Sequence, residues 1–266
     1  MKDGMKNERL ISLAKEFEAF GLEFIRKHQI THEEYRIVVG TIIDSIKAGE
    51  ESLFFDVFFE AEATDVSNHE SESSTQALEG PFYLPGAPRL TRPYKMPMRP
   101  DEPGDILFFN GMVKDTDGNP IAGAELDMWH STNDGLYSNI FPEVPEWDLR
   151  GIFTSDEAGA FEVQSITPVP YEIPKFGPTG RALTALGRHC WRPAHIHLKV
   201  RADGFEEITS QVYFKGGQWL DDDAVNGVRE GLVAELVRHE DPDDIAARGL
   251  TQPFFEVTYD YVLNRA

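Results

Sequence analysis

Two histidines spaced two residues apart are the first residues in this chain whose pattern suggests chemistry. They lie in Ala194-His195-Ile196-His197-Leu198-Lys199-Val200. Along a strand side chains alternate, so His195 and His197 share a face, about 7 Å apart, while Ile196, Leu198 and Val200 take the other face and the core. Two neutral imidazoles on one face suit a metal ion. The same segment reads equally well as a polar, solvent-facing strand that carries two histidines and a lysine. It contains neither Asp nor Glu, so a two-histidine, one-carboxylate ferrous site is not evident. Cys190 is the one cysteine, which excludes an internal disulfide and a multi-thiolate site.

The surroundings add weight. Trp191-Arg192-Pro193 runs straight into the histidine strand, and Pro168, Pro170 and Pro174 hem in Tyr171. Proline fixes φ, so this tyrosine is presented by a stiff backbone, as a preorganised ligand needs. Tyr137 sits comparably, at the end of Trp129-His130-Ser131-Thr132-Asn133-Asp134-Gly135-Leu136-Tyr137. Taken singly, each tyrosine reads as a structural residue whose hydroxyl wants a hydrogen-bond partner.

The elements that must position these residues fall into two parts. Leu10, Leu13, Phe17, Phe20 and Phe24 are spaced 3, 4, 3 and 4, a narrow seam on one helical face that faces either the core or another subunit. Thr31-His32-Glu33-Glu34 is a capping box opening a second helix, with Tyr35, Val38, Val39, Ile42 and Ile46 as its apolar face and Gly49 as its stop. Leu53-Phe54-Phe55-Asp56-Val57-Phe58-Phe59 is apolar nearly all round and predicts a buried third helix. After the polar stretch Ser67–Ser74, Gly and Pro become frequent and the pattern changes to short alternating runs. These predict strands over Ile106–Val113, Ala124–Trp129, Gly151–Thr154, Phe161–Ile166, Ala194–Val200, Ile208–Phe214 and Phe255–Val262. Turns such as Asp115–Pro120 and Asp156–Gly159 separate them, which argues for a β-sandwich. A late helix with Val225, Val228, Leu232 and Leu236 on its inner face is expected to interrupt the strands.

Composition excludes several classes of function. With 25 basic and 46 acidic residues, the net charge of −21 repels phosphate backbones and anionic headgroups, so no nucleic-acid or membrane partner is expected. No apolar run approaches the roughly 18 residues of a membrane span. The polar start, Met1 to Lys6, predicts no signal peptide and a cytoplasmic protein.

Several longer motifs occur together and in one order. They are Leu78-Glu79-Gly80-Pro81-Phe82-Tyr83-Leu84-Pro85-Gly86-Ala87-Pro88, Asp127–Ser138, Pro170-Tyr171-Glu172-Ile173-Pro174, Gly177-Pro178-Thr179-Gly180 and Arg192–His197. With them the chain resembles the intradiol ring-cleavage dioxygenases, from the N-terminal helices to nearly its end. Within the family it is most similar to the short chlorocatechol 1,2-dioxygenases, a likeness to which Met96–Asp105 belongs. The resemblance implies a fold that is mainly β with an α-helical N-terminal part. An antiparallel β-sandwich catalytic domain would span residues 89–266 and a helical dimerisation and linker region residues 1–88, with residues 53–57 and 78–82 also lining the active site. It implies a homodimer, with room for a lipid at the dimer interface.

The resemblance further implies a non-haem Fe(III) bound by Tyr137, Tyr171, His195 and His197. Anionic phenolates favour the ferric state, and the metal's charge draws a tyrosine pKa far below its usual value of about 10. Tyr171 matches the displaceable ligand that takes a substrate proton. Arg192 matches an arginine that stabilises negative charge on the ring, and Gln211 a glutamine behind the ligands. The partners implied are a catechol and O2, and the product is a cis,cis-muconate. Leu53, Asp56, Val57, Leu78, Gly80, Phe82, Ile173, Arg192 and Val225 match pocket-lining positions. Asp56 resembles the chlorocatechol and hydroxyquinol branches, whereas Val225 stands where chlorocatechol enzymes often carry cysteine and hydroxyquinol enzymes valine. Cleavage of hydroxyquinol to maleylacetate is therefore the alternative. A copper or ferrous His-x-His oxygenase and a non-catalytic binding sandwich are the readings from outside the family.

Overall fold

The computed structural model describes residues 7–69 and 71–266. Met1 to Lys6, expected to be a polar lead-in, and Glu70, within the polar stretch after the helices, lie outside the described residues.

Helix α1 (Glu8–His28) begins where the Asn7 side chain accepts the Leu10 N–H at 3.0 Å, and stops at the left-handed Gln29. Helix α2 (His32–Ala48) carries the expected capping box: the Glu34 N–H donates to Thr31 Oγ1 at 3.2 Å and the Thr31 N–H to Glu34 Oε2 at 2.8 Å. Gly49 closes it with φ of 71°. The apolar seam of α1 does not face the core. None of its residues is buried, and Phe17 is 78% exposed. Tyr35, Val38 and Ile46 of α2 are exposed as well.

The stretch predicted as one buried helix is divided into α3 (Glu51–Phe55), a π-helical turn (Asp56–Glu60) and α4 (Ala61–Asn68). Within it only Leu53 and Val57 are buried, and Phe59 is 63% exposed. Apolarity all round thus does not become burial all round, because only the side carrying Leu53 and Val57 packs into the cluster around Trp129, Tyr137 and Tyr171. Several polar contacts fasten the helices to the rest. Glu50 Oε2 accepts the Thr179 N–H at 2.9 Å, at the start of α5 (Pro178–Ala185), and Arg229 pairs with Asp65 at 2.6 Å.

The strands form two large sheets. One runs β1 (Tyr94–Lys95), β5 (Ala160–Ile166), β2 (Ile106–Asp115), β12 (Phe254–Thr258) and β11 (Leu236–His239), with β13 (Tyr261–Leu263) also on β2. The other runs β10 (Val233–Ala234), β9 (Ile208–Phe214), β8 (His195–Arg201), β3 (Glu125–Trp129) and β4 (Arg150–Thr154). A small ribbon pairs β6 (Tyr171–Glu172) with β7 (Trp191–Arg192). Pairing is mixed: β12 and β13 run parallel to β2, and β1 parallel to β5, whereas each neighbouring pair along β9, β8, β3 and β4 is antiparallel. With 28% helix and 25% strand, the described residues are mixed helix and sheet rather than mainly β.

The inner faces of both sheets share one core. Leu107 and Phe109 of β2 and Leu126 and Met128 of β3 meet there, together with Ile196, Leu198 and Val200 as the alternation predicts. The strand expected over Phe255–Val262 is interrupted at Tyr259-Asp260. The Tyr259 carbonyl presses onto Gly111, where a Cβ would meet it at 1.9 Å, and Asp260 Oδ1 accepts the Met112 N–H at 2.9 Å in place of backbone. The expected late helix does not form. Its residues make loop, a 3-10 turn (Glu230–Leu232), β10 and β11, and the helix beyond them is the short α6 (Pro242–Ala247). Among the described residues, no helix is long and apolar enough to cross a membrane.

Candidate active site

Strand β8 places both histidines. Its register aligns Trp129, His197 and Gln211 in one row across β3, β8 and β9, and His195 beside Tyr213 in the next. His195 is 1% and His197 2% exposed, so the solvent-facing alternative for this strand fails. Trp129 stacks on His197 with centroids 4.7 Å apart and planes 9° apart, which holds the imidazole plane.

Tyr137 follows a tight turn after β3, in which the Thr132 N–H donates to Leu136 O at 2.8 Å. Gly135 in that turn has φ of 77°, and a Cβ there would stand 2.7 Å from Tyr171 Cβ. Glycine is required on both counts: for the left-handed backbone and for the close approach of the two tyrosines. Tyr171 comes from β6, directly opposite Arg192 in the ribbon. The four aromatic rings therefore form a closed circuit. Centroid distances are 5.6 Å for Tyr137–Tyr171, 5.6 Å for Tyr171–His195, 4.6 Å for His195–His197 and 6.3 Å for His197–Tyr137.

The polar atoms inside this circuit have a definite state. His195 Nδ1 lies 2.8 Å from Pro193 O, which can only accept, so Nδ1 carries the proton and Nε2 presents a lone pair. That Nε2 is 2.9 Å from His197 Nε2. Burial, followed by the charge of Arg192, pushes the His195 pKa down to about 3. Burial, with His195 next, drives that of His197 well below the usual range. Both imidazoles are neutral at pH 7 and available as ligands. The Tyr137 hydroxyl is buried with no hydrogen-bond partner, and burial, then Tyr171, raises its pKa well above 10. Such an orphan costs free energy unless something supplies the missing interaction.

Arg192 organises the side behind Tyr171. It donates through Nε and Nη2 to Asp223 at 3.2 Å each, and through Nη2 to Tyr213 Oη at 2.9 Å and Gln211 Oε1 at 3.1 Å. Its Nη1 lies 3.2 Å from His195 Nε2. Burial opposes both charges of the pair, yet mutual attraction holds the Asp223 pKa below the usual range and that of Arg192 above it. Gln211 donates to Leu78 O at 2.7 Å, which ties the Glu79-Gly80 loop to the site.

Of the expected pocket residues, Leu53, Val57, Leu78, Ile173 and Val225 are buried in one cluster with Tyr137 and Tyr171, and Phe82 packs on it, 4.7 Å from the Tyr137 ring. A Cβ at Gly80 would stand 3.6 Å from His197 Cε1, so the loop passes directly over the imidazole. Asp56, next to Val57, adds a carboxyl close enough to feel the charge of Arg192. It is half-buried on the π turn, accepts from Ser52 Oγ at 3.1 Å, and burial raises its pKa. Val225 is reached through a loop rather than a helix. Asp223 accepts the N–H groups of Val225 and Gly227 at 3.4 and 3.0 Å, and a Cβ at Gly227 would stand 3.1 Å from Arg192 Nη2. The loop is shaped around the guanidinium, which overrides the helical spacing.

Sequence reasoning missed Asp223, Tyr213, Trp129 and Gly135. Asp223 is hidden in the run Asp221-Asp222-Asp223, and the other three are visible only through the strand register and the turn. Among the described residues, no group of three or more His, Cys, Asp or Glu is arranged to hold a metal. The donors gathered here are two imidazoles and two phenols.

Comparisons with known proteins give the family. A family profile described as dioxygenase matches residues 78–265. A chlorocatechol 1,2-dioxygenase of Rhodococcus opacus is 47% identical over 232 residues, covering 86% of this chain and 90% of the relative. A hydroxyquinol 1,2-dioxygenase of a Rhizobium species is 35% identical over 217 residues, 80% and 73% of the two chains. The crystal structure of a 3-chlorocatechol 1,2-dioxygenase from Rhodococcus opacus superimposes with a TM-score of 0.90 at 38% identity, covering 98% of this chain and all of that one. The chain belongs to the intradiol dioxygenase family and is an oxidoreductase of that type.

Proposed function

We propose that this protein cleaves catechols, chlorinated ones included, between the two hydroxyl-bearing carbons, adding both atoms of O2 to give cis,cis-muconates. The observation that carries it is the buried circuit of Tyr137, Tyr171, His195 and His197, with the Tyr137 hydroxyl left without a partner. These residues fit a non-haem Fe(III): two neutral nitrogen donors and two phenols that become anionic beside a trivalent cation. Such an ion, when bound, makes a coordinated catecholate reactive toward O2.

The rest is the work of the chain's own residues. Tyr171, on a two-residue strand walled by prolines, takes a substrate hydroxyl proton at its phenolate oxygen. Arg192, held charged by Asp223, offers its guanidinium to negative charge developing on the ring. Gln211 keeps the Leu78–Gly80 loop against His197, while Leu53, Val57, Ile173 and Val225 form an apolar wall that shuts out water. Anaerobic ferrous loading followed by air oxidation should produce a broad visible tyrosinate-to-iron band, and catechol should then yield muconate one-for-one with O2 consumed. A protein that stays colourless and inactive would overturn the assignment.

The higher identity to a chlorocatechol enzyme supports a halogenated or plain catechol over hydroxyquinol. Val225 and Val57, β-branched and buried, present stiff walls to a ring substituent. Val225→Ala should improve relative kcat/KM for bulkier chlorocatechols by about 1–3 kcal/mol. An unchanged ratio with only a lower Tm would make Val225 a core residue. Residues 89–266 form the β-sandwich catalytic domain in this reading and residues 1–88 a helical dimerisation and linker region. The exposed faces of α1 and α2 support a homodimer, with a lipid able to fill gaps between them, in a cytoplasmic protein.

A further inference from the structure

Arg150 opens β4 and is 1% exposed, yet none of the ion pairs among the described residues includes it. Its hydrogen bonds go to neutral oxygens of one residue: Nε to Ser138 Oγ at 3.0 Å and Ser138 O at 3.3 Å, and Nη2 to Ser138 O at 3.1 Å. A buried guanidinium without an anion is costly, and neutral acceptors offset only part of that cost. Burial lowers its pKa to about 10, which leaves it charged at neutral pH.

What it faces accounts for it. Ser138 directly follows Tyr137, and the guanidinium carbon lies 5.9 Å from the centroid of the Tyr137 ring. The Tyr137 hydroxyl in turn has no partner. Besides Tyr137, only the Asp127 carboxylate acts on Arg150, and it does so from beyond ion-pair distance, so the guanidinium borders a phenol that lacks a hydrogen-bond partner. Ser138 Oγ donates to Asp148 O at 2.7 Å, so the acceptor that steers Arg150 is itself fixed.

The geometry points to Arg150 as a positioning residue for Tyr137, supplying the counter-charge when Tyr137 serves as an anionic metal ligand and so setting how strongly that phenolate donates. The inference rests on the reading of Tyr137 as a tyrosinate ligand. A positive charge beside a phenolate stabilises its filled orbitals. Removing the charge raises them toward the metal's acceptor levels, and the charge-transfer band moves to lower energy. The hydrogen bonds to Ser138 fix the Tyr137 backbone, whereas the charge acts on its oxygen.

The test uses the iron-loaded parent protein with Arg150→Lys, Arg150→Gln and Arg150→Met, compared by visible spectrum and by iron retention against a chelator. The parent should show the tyrosinate band; a parent without one overturns the reading of Tyr137 itself. Arg150→Gln and Arg150→Met should move the band to lower energy and weaken iron retention roughly 10- to 100-fold, the range for residues behind a metal ligand. Arg150→Lys, which keeps the charge but not the fork to Ser138, should keep the band near its parental position. If the parent is coloured and the neutral variants leave its band in place, the counter-charge role is wrong. If Lys and Gln shift it equally, the residue acts only through Ser138. Should Arg150→Met fail to fold, the Lys and Gln pair decides.

Discussion

Helix α1 and strand β8 are both marked by apolar periodicity, and they end in opposite environments. Six of the seven β8 residues are buried, including two histidines and a lysine, whereas α1 buries none and leaves its phenylalanines to solvent. Apolarity in a sequence states a demand for burial, and whether the demand is met depends on what the fold places opposite. In β8 the neighbouring strands β3 and β9 lock the register and bury even polar side chains around a site. In α1 the described residues of the same chain leave the seam uncovered, which is the physical basis for expecting a second copy. The difference separates a part whose polar side chains are buried together from a part whose apolar side chains are left exposed.

The sharpest way to break that division is to remove a donor from β8. His195→Ala or His197→Ala should lower iron retention by more than the roughly 100-fold seen for residues behind a ligand, measured by metal analysis after desalting. Parental iron content would show that β8 holds no metal. Tyr171→Phe should keep part of the iron yet lose turnover by about 10²–10⁴-fold, the usual contribution of a positioned base. Cleavage of catechol at the parental rate would remove Tyr171 from the base role.

On the helical side, the parent should sediment at twice the 30.0 kDa chain mass. Phe17→Glu with Phe20→Glu should dissociate it, since each phenylalanine buried at an interface contributes about 1.5–3 kcal/mol. The site's spectrum should be retained. A parent that sediments as a single chain at micromolar concentration would leave the α1 face without the proposed role.

The smallest effect tests the join between the regions. Glu60 ends the π turn, and burial, then the neighbouring Asp56, raises its pKa from 4.5 to about 7. A carboxyl with a raised folded-state pKa contributes stability that is present below pH 4.5 and lost as pH climbs through about 7. Allowing for solvent screening at this half-buried position, the contribution is on the order of 1 kcal/mol. Glu60→Gln should flatten that part of the stability profile, read from urea midpoints on either side of the window. An unchanged slope would assign the pH dependence to other groups.

Local rules made much of the molecule legible. Period-two alternation placed Ile196, Leu198 and Val200 in the core and the histidines together on the other face. The capping box at Thr31 and the stop at Gly49 located α2, because these interactions span only a few residues. Dense motifs around Tyr137, Tyr171 and Arg192 marked where the site's parts lie along the chain. Tertiary structure alone decided which parts meet. The approach of Tyr137 to Tyr171 depends on the missing Cβ of Gly135, and the Arg192–Asp223 pair joins residues whose separation carries no periodic signal. That pair also turned a helical spacing over Val225–Leu236 into loop and strand, since satisfying a buried guanidinium outweighs a local helical preference of a few tenths of a kcal/mol per residue. The exposure of α1 belongs to the same class. A stripe on one helix cannot say what, if anything, will cover it.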